Sequence, residues 1–272
     1  VLKARLLSAA VMAPLVLIGV LYLPTDIFAL ILGLVMAAGL WEWGRLIPLH
    51  GMIARVAYTS VVLLLIGLLW QVRPESYLNL ILFAAVAWWL WVLYWVSQPQ
   101  VGAQATPLTR SLKMAAGVLV MVPAWVALVV LHGADTRGPL LVLIVLVMIW
   151  LADSGAYFAG RQWGRTRLAP LVSPGKTREG VYGGLLASLV FAAVAGGFYS
   201  HSFKWTLAFM VVSLLAMMFS VVGDLLESLM KRQSDIKDSG SIIPGHGGIL
   251  DRIDSTVAAV PMFLVGLRWL NL

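Results

Sequence analysis

The sequence predicts an all-α polytopic membrane protein with about nine transmembrane helices. Three observations carry this prediction. Of 272 residues, 61% are hydrophobic and 11% are charged, whereas a soluble domain carries about 25% charged residues. Apolar runs recur nine times at about the 20 residues that a helix needs to cross a bilayer. The Lys and Arg residues between those runs fall mainly on alternate loops.

The first run spans Leu6 to Leu23, behind Lys3 and Arg5. A secretory signal would be followed by a small-x-small cleavage site. "LYLPTDIF" stands there instead, so the run is expected to stay as a membrane helix. The next is 27–48, which carries "WEWGR" near its end, and then come 53–71 and 76–96. "SQPQVGAQATPLTR" follows as the clearest internal linker, although it is short. Runs 112–132, 139–160, 181–199, 205–230 and 252–270 complete the set. No fixed-period repeat is visible. The chain reads as one membrane unit: N-terminal helices over 1–140, and a C-terminal region over 141–272 that carries polar loops at 161–180 and 231–251.

Nine spans place fifteen Lys and Arg on one side of the membrane. Arg73, Arg137, Lys204 and Arg268 lie on the other. By the positive-inside rule the N-terminus and both polar loops should be cytoplasmic. Tryptophans 41, 43, 70, 88, 89, 91 and 95 read as interfacial or lipid-facing bulk rather than as a binding box. There is no cysteine, which excludes disulfides, thiolate metal sites and a cysteine nucleophile.

Acids in apolar spans are costly, about 2.5–3.5 kcal/mol at the bilayer centre on insertion scales, and default to a functional hypothesis. Asp153 precedes Arg161 by eight residues, about 12 Å along a helix. Asp224 precedes Lys231 by seven, about 10 Å, and Glu227 lies one turn further on. Asp251 and Asp254 open the last helix at i and i+3, on one face. Carboxylates at similar depth repel one another unless a cation joins them. An all-oxygen donor set suits Mg²⁺. Asp224, Asp251 and Asp254 are therefore expected metal ligands. Asp153 could be a further ligand, an acceptor behind the ligands or a partner of an Arg. The plain alternative for Asp251 is a helix-capping acid beside a snorkelling Arg252.

The loop "RQWGRTRLAPLVSPGKTREG" holds five basic residues and one acid. Its Ser173–Thr177 stretch suggests a phosphate loop but lacks the glycine spacing of a Walker A motif, and no strand is expected to lead into it. Lys176, Arg178 and the start of the helix near Gly180 could still face an anion. Alone, the loop would pass for ordinary cytoplasmic charge. In "KDSGSIIPGHGGILDRIDS", Gly245, Gly247 and Gly248 let the backbone approach a ligand, and His246 can donate to a phosphate oxygen. Lys231, Arg232 and Lys237 lead into this segment. Positive loops beside acids match a metal–nucleotide site.

Ser228 to Asp254, "SLMKRQSDIKDSGSIIPGHGGILDRID", resembles the signature of phosphatidate cytidylyltransferases, or CDP-diacylglycerol synthases. The pattern is S-x-x-K-R, four residues, K-D-x-G, then P-x-H-G-G-x-x-D-R-x-D. "ADSGAYFAGRQWGR" and "SPGKTREG" are also similar to that family. The resemblance is specific over Leu151–Ser255 and generic over 1–140. It implies an integral enzyme of the bacterial inner membrane that converts CTP and phosphatidate to CDP-diacylglycerol and pyrophosphate. It implies Mg²⁺, with K⁺ as a further candidate cation. Partners would be CTP, phosphatidate and the bilayer, with no nucleic acid and with a homodimer as a candidate assembly.

Carried over by motif, Asp224, Asp251, Lys237 and His246 would be catalytic. Asp224, Asp251, Asp254 and Asp153 would be the metal set. Ser173, Lys176, Arg178, Lys231, Arg232, Gly247, Gly248 and Arg252 would contact substrate. The lipid phosphate is already an ionised nucleophile, so the chemistry needs positioning and electrostatics rather than a strong base. An ion-coupled transporter with intramembrane carboxylates is the rival reading. Its expected inverted repeat is not evident, and the acids gather toward one side.

Overall fold

The computed structural model describes residues 2–47, 49, 51–72, 77–200, 202–240, 242 and 247–271. Among these, nine α-helices and one short hairpin follow in order. They are α1 (Leu2–Tyr22), α2 (Thr25–Leu46), α3 (Met52–Val72), α4 (Leu78–Ser97), α5 (Pro107–His132) and α6 (Gly138–Trp163). Then come β1 (Arg167–Ala169), β2 (Ser173–Thr177), α7 (Arg178–Ser200), α8 (Phe203–Gln233) and α9 (Leu250–Trp269). The seven helices α2 to α8 are long and apolar enough to cross a membrane. Helix α1 contributes a shorter apolar stretch, Met12–Tyr22. Helix α9 has 20 residues but opens on Asp251, Arg252 and Asp254.

Hydrogen bonds between helix ends set the directions. At one end of the bundle, the Trp43 indole of α2 donates to Lys113 O of α5 at 2.9 Å. There, too, Ser234 Oγ beyond α8 donates to Leu46 O of α2 at 2.8 Å. At the other end, His132 of α5 meets Val20 O of α1 and Thr25 Oγ1 of α2, each at 3.0 Å. Arg137 before α6 donates to Tyr199 O near the end of α7 at 3.0 Å. Successive helices thus alternate in direction, as a polytopic membrane protein requires. The first of these ends carries the hairpin and the α8–α9 connection.

Helix α5 starts five residues earlier than expected. Thr106 and Thr109 form a reciprocal capping box with Pro107 at the first helical position, which satisfies donors a hydropathy pattern cannot register. The interior of α5 is buried from Val120 to Val129, so it is the central element. Trp41, Trp70 and Trp91 are part-exposed, whereas Trp43, Trp88, Trp89 and Trp95 are buried, which corrects for these four the expectation of interfacial or lipid-facing bulk. They fill gaps between helices where large rings add much contact area. Exposed positions on the outer faces of the helices include Leu64, Leu80, Phe83 and Leu186.

The loop over 161–180 also differs from expectation. Ser173–Thr177 is a strand, paired antiparallel with β1 through Arg167–Thr177 and Ala169–Ser173. The strands are three and five residues long, too short for an alternating pattern to appear. Thr177 Oγ1 then accepts Gly180 N at 3.1 Å, capping α7 as soon as the strand ends.

Candidate active site

Asp153 of α6, Asp224 of α8 and Asp254 of α9 lie close enough to influence one another electrostatically. They meet because α8 rests directly on the α9 backbone. A side chain at Gly223 would strike Asp254 O and approach Ala258 Cβ at 2.8 Å. Lys176, at the end of the hairpin, reaches into this group and ion-pairs with Asp224 Oδ2. It also acts on Asp153 and Asp254, and Arg252 acts on Asp153. Asp224 Oδ1 accepts Ser228 Oγ at 3.4 Å, and Asp254 Oδ1 accepts Ser255 N at 2.7 Å.

A cavity of about 470 Å³ opens between α6, α7, α8 and the hairpin. Its polar wall includes Asp153, Tyr157, Arg161, Lys176, Ser220 and Asp224. The rest is mostly small or aliphatic, including Ala152, Gly184 and Val221. The cavity therefore joins a charged end to an apolar wall inside spanning helices.

Asp251 sits in a second, adjoining cluster. Lys231 Nζ bridges Glu227 Oε2 at 2.7 Å and Asp251 Oδ1 at 2.8 Å. Asp251 Oδ2 accepts Ser239 Oγ at 2.9 Å, Ser239 N at 3.2 Å and Gly248 N at 2.8 Å. The last bond reaches back three residues, as a capping acid does. The four acids expected as metal ligands thus divide, with three around Lys176 and Asp251 around Lys231. Among the described residues, no three Asp, Glu or His side chains converge as a ready metal cage. The two clusters adjoin through Glu227, which feels the charge of Asp254.

The remaining sequence candidates line the same end. Ser173 is part-buried in β2, and Arg178 is exposed at the first turn of α7. Arg232 is exposed and its Nε donates to Val172 O at 3.4 Å, tying α8 to the hairpin. Arg232 and Lys237 border a smaller cavity of about 200 Å³. Gly247 has φ +81°, the left-handed region. Arg252 is exposed on the first turn of α9. His246 and Gly245 lie outside the described residues.

The donor chemistry fits a hard cation. Carboxylate oxygens predominate, and Glu227 Oε1 is buried with no hydrogen-bond partner. The Lys176 ammonium pairs with Asp224 and lies within electrostatic reach of Asp153 and Asp254.

Sequence reasoning missed Glu42. It is 1% exposed on α2 and accepts Leu250 N at 2.8 Å and Ser239 Oγ at 3.2 Å. Its signal was the lone acid within "WEWGR", an acid in an otherwise apolar run.

A model of the Cytidylyltransferase family matches residues 3–270. The chain is 42% identical over 268 residues to a phosphatidate cytidylyltransferase of Pseudomonas aeruginosa, covering 98% of this chain and 97% of that protein. It is 39% identical over 280 residues to the phosphatidate cytidylyltransferase of Haemophilus influenzae, covering 96% and 97%. A Bacillus subtilis protein of the same name is 40% identical over 139 residues, half of this chain.

Proposed function

The chain belongs to the Cytidylyltransferase family, and from that premise we propose that it is a phosphatidate cytidylyltransferase. A phosphate oxygen of phosphatidate attacks the α-phosphorus of CTP. The bond between the α-phosphorus and its bridging oxygen breaks, and pyrophosphate leaves with that oxygen. The products are CDP-diacylglycerol and pyrophosphate. The observation that carries the reading is the cavity between spanning helices with the Lys176–Asp224 cluster in its wall. An apolar wall suits acyl chains still in the bilayer, and a charged end suits their phosphate.

Asp153, Asp224 and Asp254, with Asp251 beside them, are the residues proposed to hold Mg²⁺, and K⁺ is a second candidate cation. Bound there, a metal would neutralise charge on the phosphates. Lys176 and Arg161, which line the cavity, would hold the lipid phosphate. Arg232 and Lys237, which border the smaller cavity, would hold the triphosphate tail. His246 and Gly247 belong to the same proposed nucleotide lip. No general base is required, because the attacking oxygen is already ionised; the cations align two polyanions that would otherwise repel. The site is proposed to face the cytoplasm of a bacterial inner membrane, where CTP is present.

The test uses purified protein, phosphatidate and CTP labelled at the α or γ phosphorus. Label from the α position should enter lipid, dependent on phosphatidate and Mg²⁺, and γ label should leave in pyrophosphate. Label from the γ position in lipid would indicate a lipid kinase and overturn the proposal.

A further inference from the structure

Nothing in the reaction explains why an acid is buried in α2, far in sequence from the signature segment. Glu42 lies near the end of α2, 208 positions before Leu250. Ile249 occupies the capping position of α9 and makes no side-chain cap, and the bond from Gly248 N to Asp251 does not serve Leu250 N. Arg252 N donates to Ile249 O at 2.9 Å, but Leu250 N lies too early in the helix for an intrahelical partner. Glu42 Oε2 supplies one from outside by accepting Leu250 N at 2.8 Å. The same oxygen meets Ser239 Oγ at 3.2 Å, and that hydroxyl also reaches Asp251 Oδ2 at 2.9 Å. A hydroxyl carries one proton, so it donates to one carboxylate at a time and links the two.

The backbone around Glu42 is shaped to receive it. A side chain at Gly240 or at Gly248 would collide with the Glu42 carboxylate. Arg45, one turn along α2, adds a second tie by donating to Ser239 O at 3.4 Å. Two bonds from α2 therefore fix Ser239, and one fixes the start of the helix that carries Asp251 and Asp254.

We propose that Glu42 is a positioning residue that holds Asp251, through Ser239 and the Leu250 amide, in the orientation the transfer requires. This rests on the proposed function for its kinetic consequence but not for its structural one. It gives the N-terminal helices a role in the site: α2 is the fixed wall against which the signature segment is set.

The test compares Glu42→Ala, Glu42→Asp and Glu42→Gln in the full-length protein. Gln keeps an acceptor oxygen at the same reach, so it should stay within about twofold of wild type in every readout, as an uncharged acceptor replacing a charged one allows. Ala and Asp withdraw the acceptor from Leu250. Exchange of the Leu250 amide should rise about tenfold, as expected when one buried hydrogen bond is lost. The Mg²⁺ midpoint and the KM for CTP should each rise by about fivefold or more, as Asp251 loses its setting. A smaller folded fraction would lower the rate but move neither constant. Unchanged Leu250 exchange in the Asp and Ala variants would overturn the proposal, as would raised exchange with wild-type constants. Gln behaving like Ala would also overturn it. If Ala does not purify, the Asp and Gln pair decides the matter. If wild-type protein transfers no α label, the proposed function fails, and Leu250 exchange still tests the link to Glu42.

Discussion

Replacing Asp224 with Asn separates a residue that serves the reaction from one that only pairs with Lys176. The Lys176 and Asp224 side chains are 26% and 28% exposed. A solvent-exposed pair contributes about 0–1 kcal/mol, whereas removing one partner of a fully buried pair costs about 3–5 kcal/mol. This pair lies between those limits, so the expected loss of stability is about 1–2 kcal/mol. The loss is moderated because Lys176 keeps Asp153 and Asp254 as neighbours. Asn also matches Asp in shape and can still accept from Ser228. Turnover should fall far more. Removing one preoriented group that stabilises charge in the transition state costs about 10²-fold or more, equivalent to about 2.7 kcal/mol of barrier. The assay is transfer of α label from CTP to phosphatidate in detergent micelles at saturating Mg²⁺, with thermal unfolding of the same preparation. Turnover within tenfold of wild type, in protein that unfolds at a slightly lower temperature, would refute the reasoning and leave Asp224 as a structural partner of Lys176.

Two further outcomes are expected. Lys231→Met strands Glu227 and Asp251, whose side chains are only 4% and 9% exposed, so it should destabilise the protein by about 3–5 kcal/mol; a shift in unfolding midpoint no larger than that of a surface substitution would show that the cluster is not held by Lys231. Because the chain has no cysteine, Gln162→Cys and Thr136→Cys can be labelled without background. Both positions are exposed, at opposite ends of the bundle, and a membrane-impermeant thiol reagent should reach Gln162→Cys only from the cytoplasmic side and Thr136→Cys only from the other. The reverse pattern would place the site away from cytoplasmic CTP.

The parts of this molecule that were legible in its sequence are those that depend on position along a helix. Among the described residues, the nine helices and their alternation follow from apolar run length and rise per residue. What was not legible depends on rotation about a helix and on contacts distant in sequence. Asp251 and Asp254 share a face by spacing, but their carboxylates point to different cations, because Lys231 and Ser239 are nearer to one and Lys176 acts on the other. The tryptophans of α4 read as interfacial or lipid-facing bulk, because a hydropathy pattern cannot tell an apolar face against lipid from one against another helix. The hairpin escaped notice for a different reason: strands of three and five residues are too short to establish a period.

Glu42 combines both difficulties and shows what a sequence of this kind can still offer. Its partners, Ser239 and Leu250, are separated from it by 197 and 208 positions, so no local pattern could name them. The costly feature was nevertheless visible. A carboxylate inside an apolar run must be neutralised, hydrated or hydrogen-bonded, and "WEWGR" has only Arg45 nearby to suggest an answer. The structure gives Oε2 backbone and hydroxyl donors from the signature segment, while Oε1 is buried without a hydrogen-bond partner, and the glycines of that segment leave the space. Gly240 and Gly248 therefore serve the fit of α2 as well as any approach of a ligand. The signature segment and the N-terminal helices are tied together through α2, because Glu42 and Arg45 both bond Ser239 and Glu42 also accepts Leu250 N.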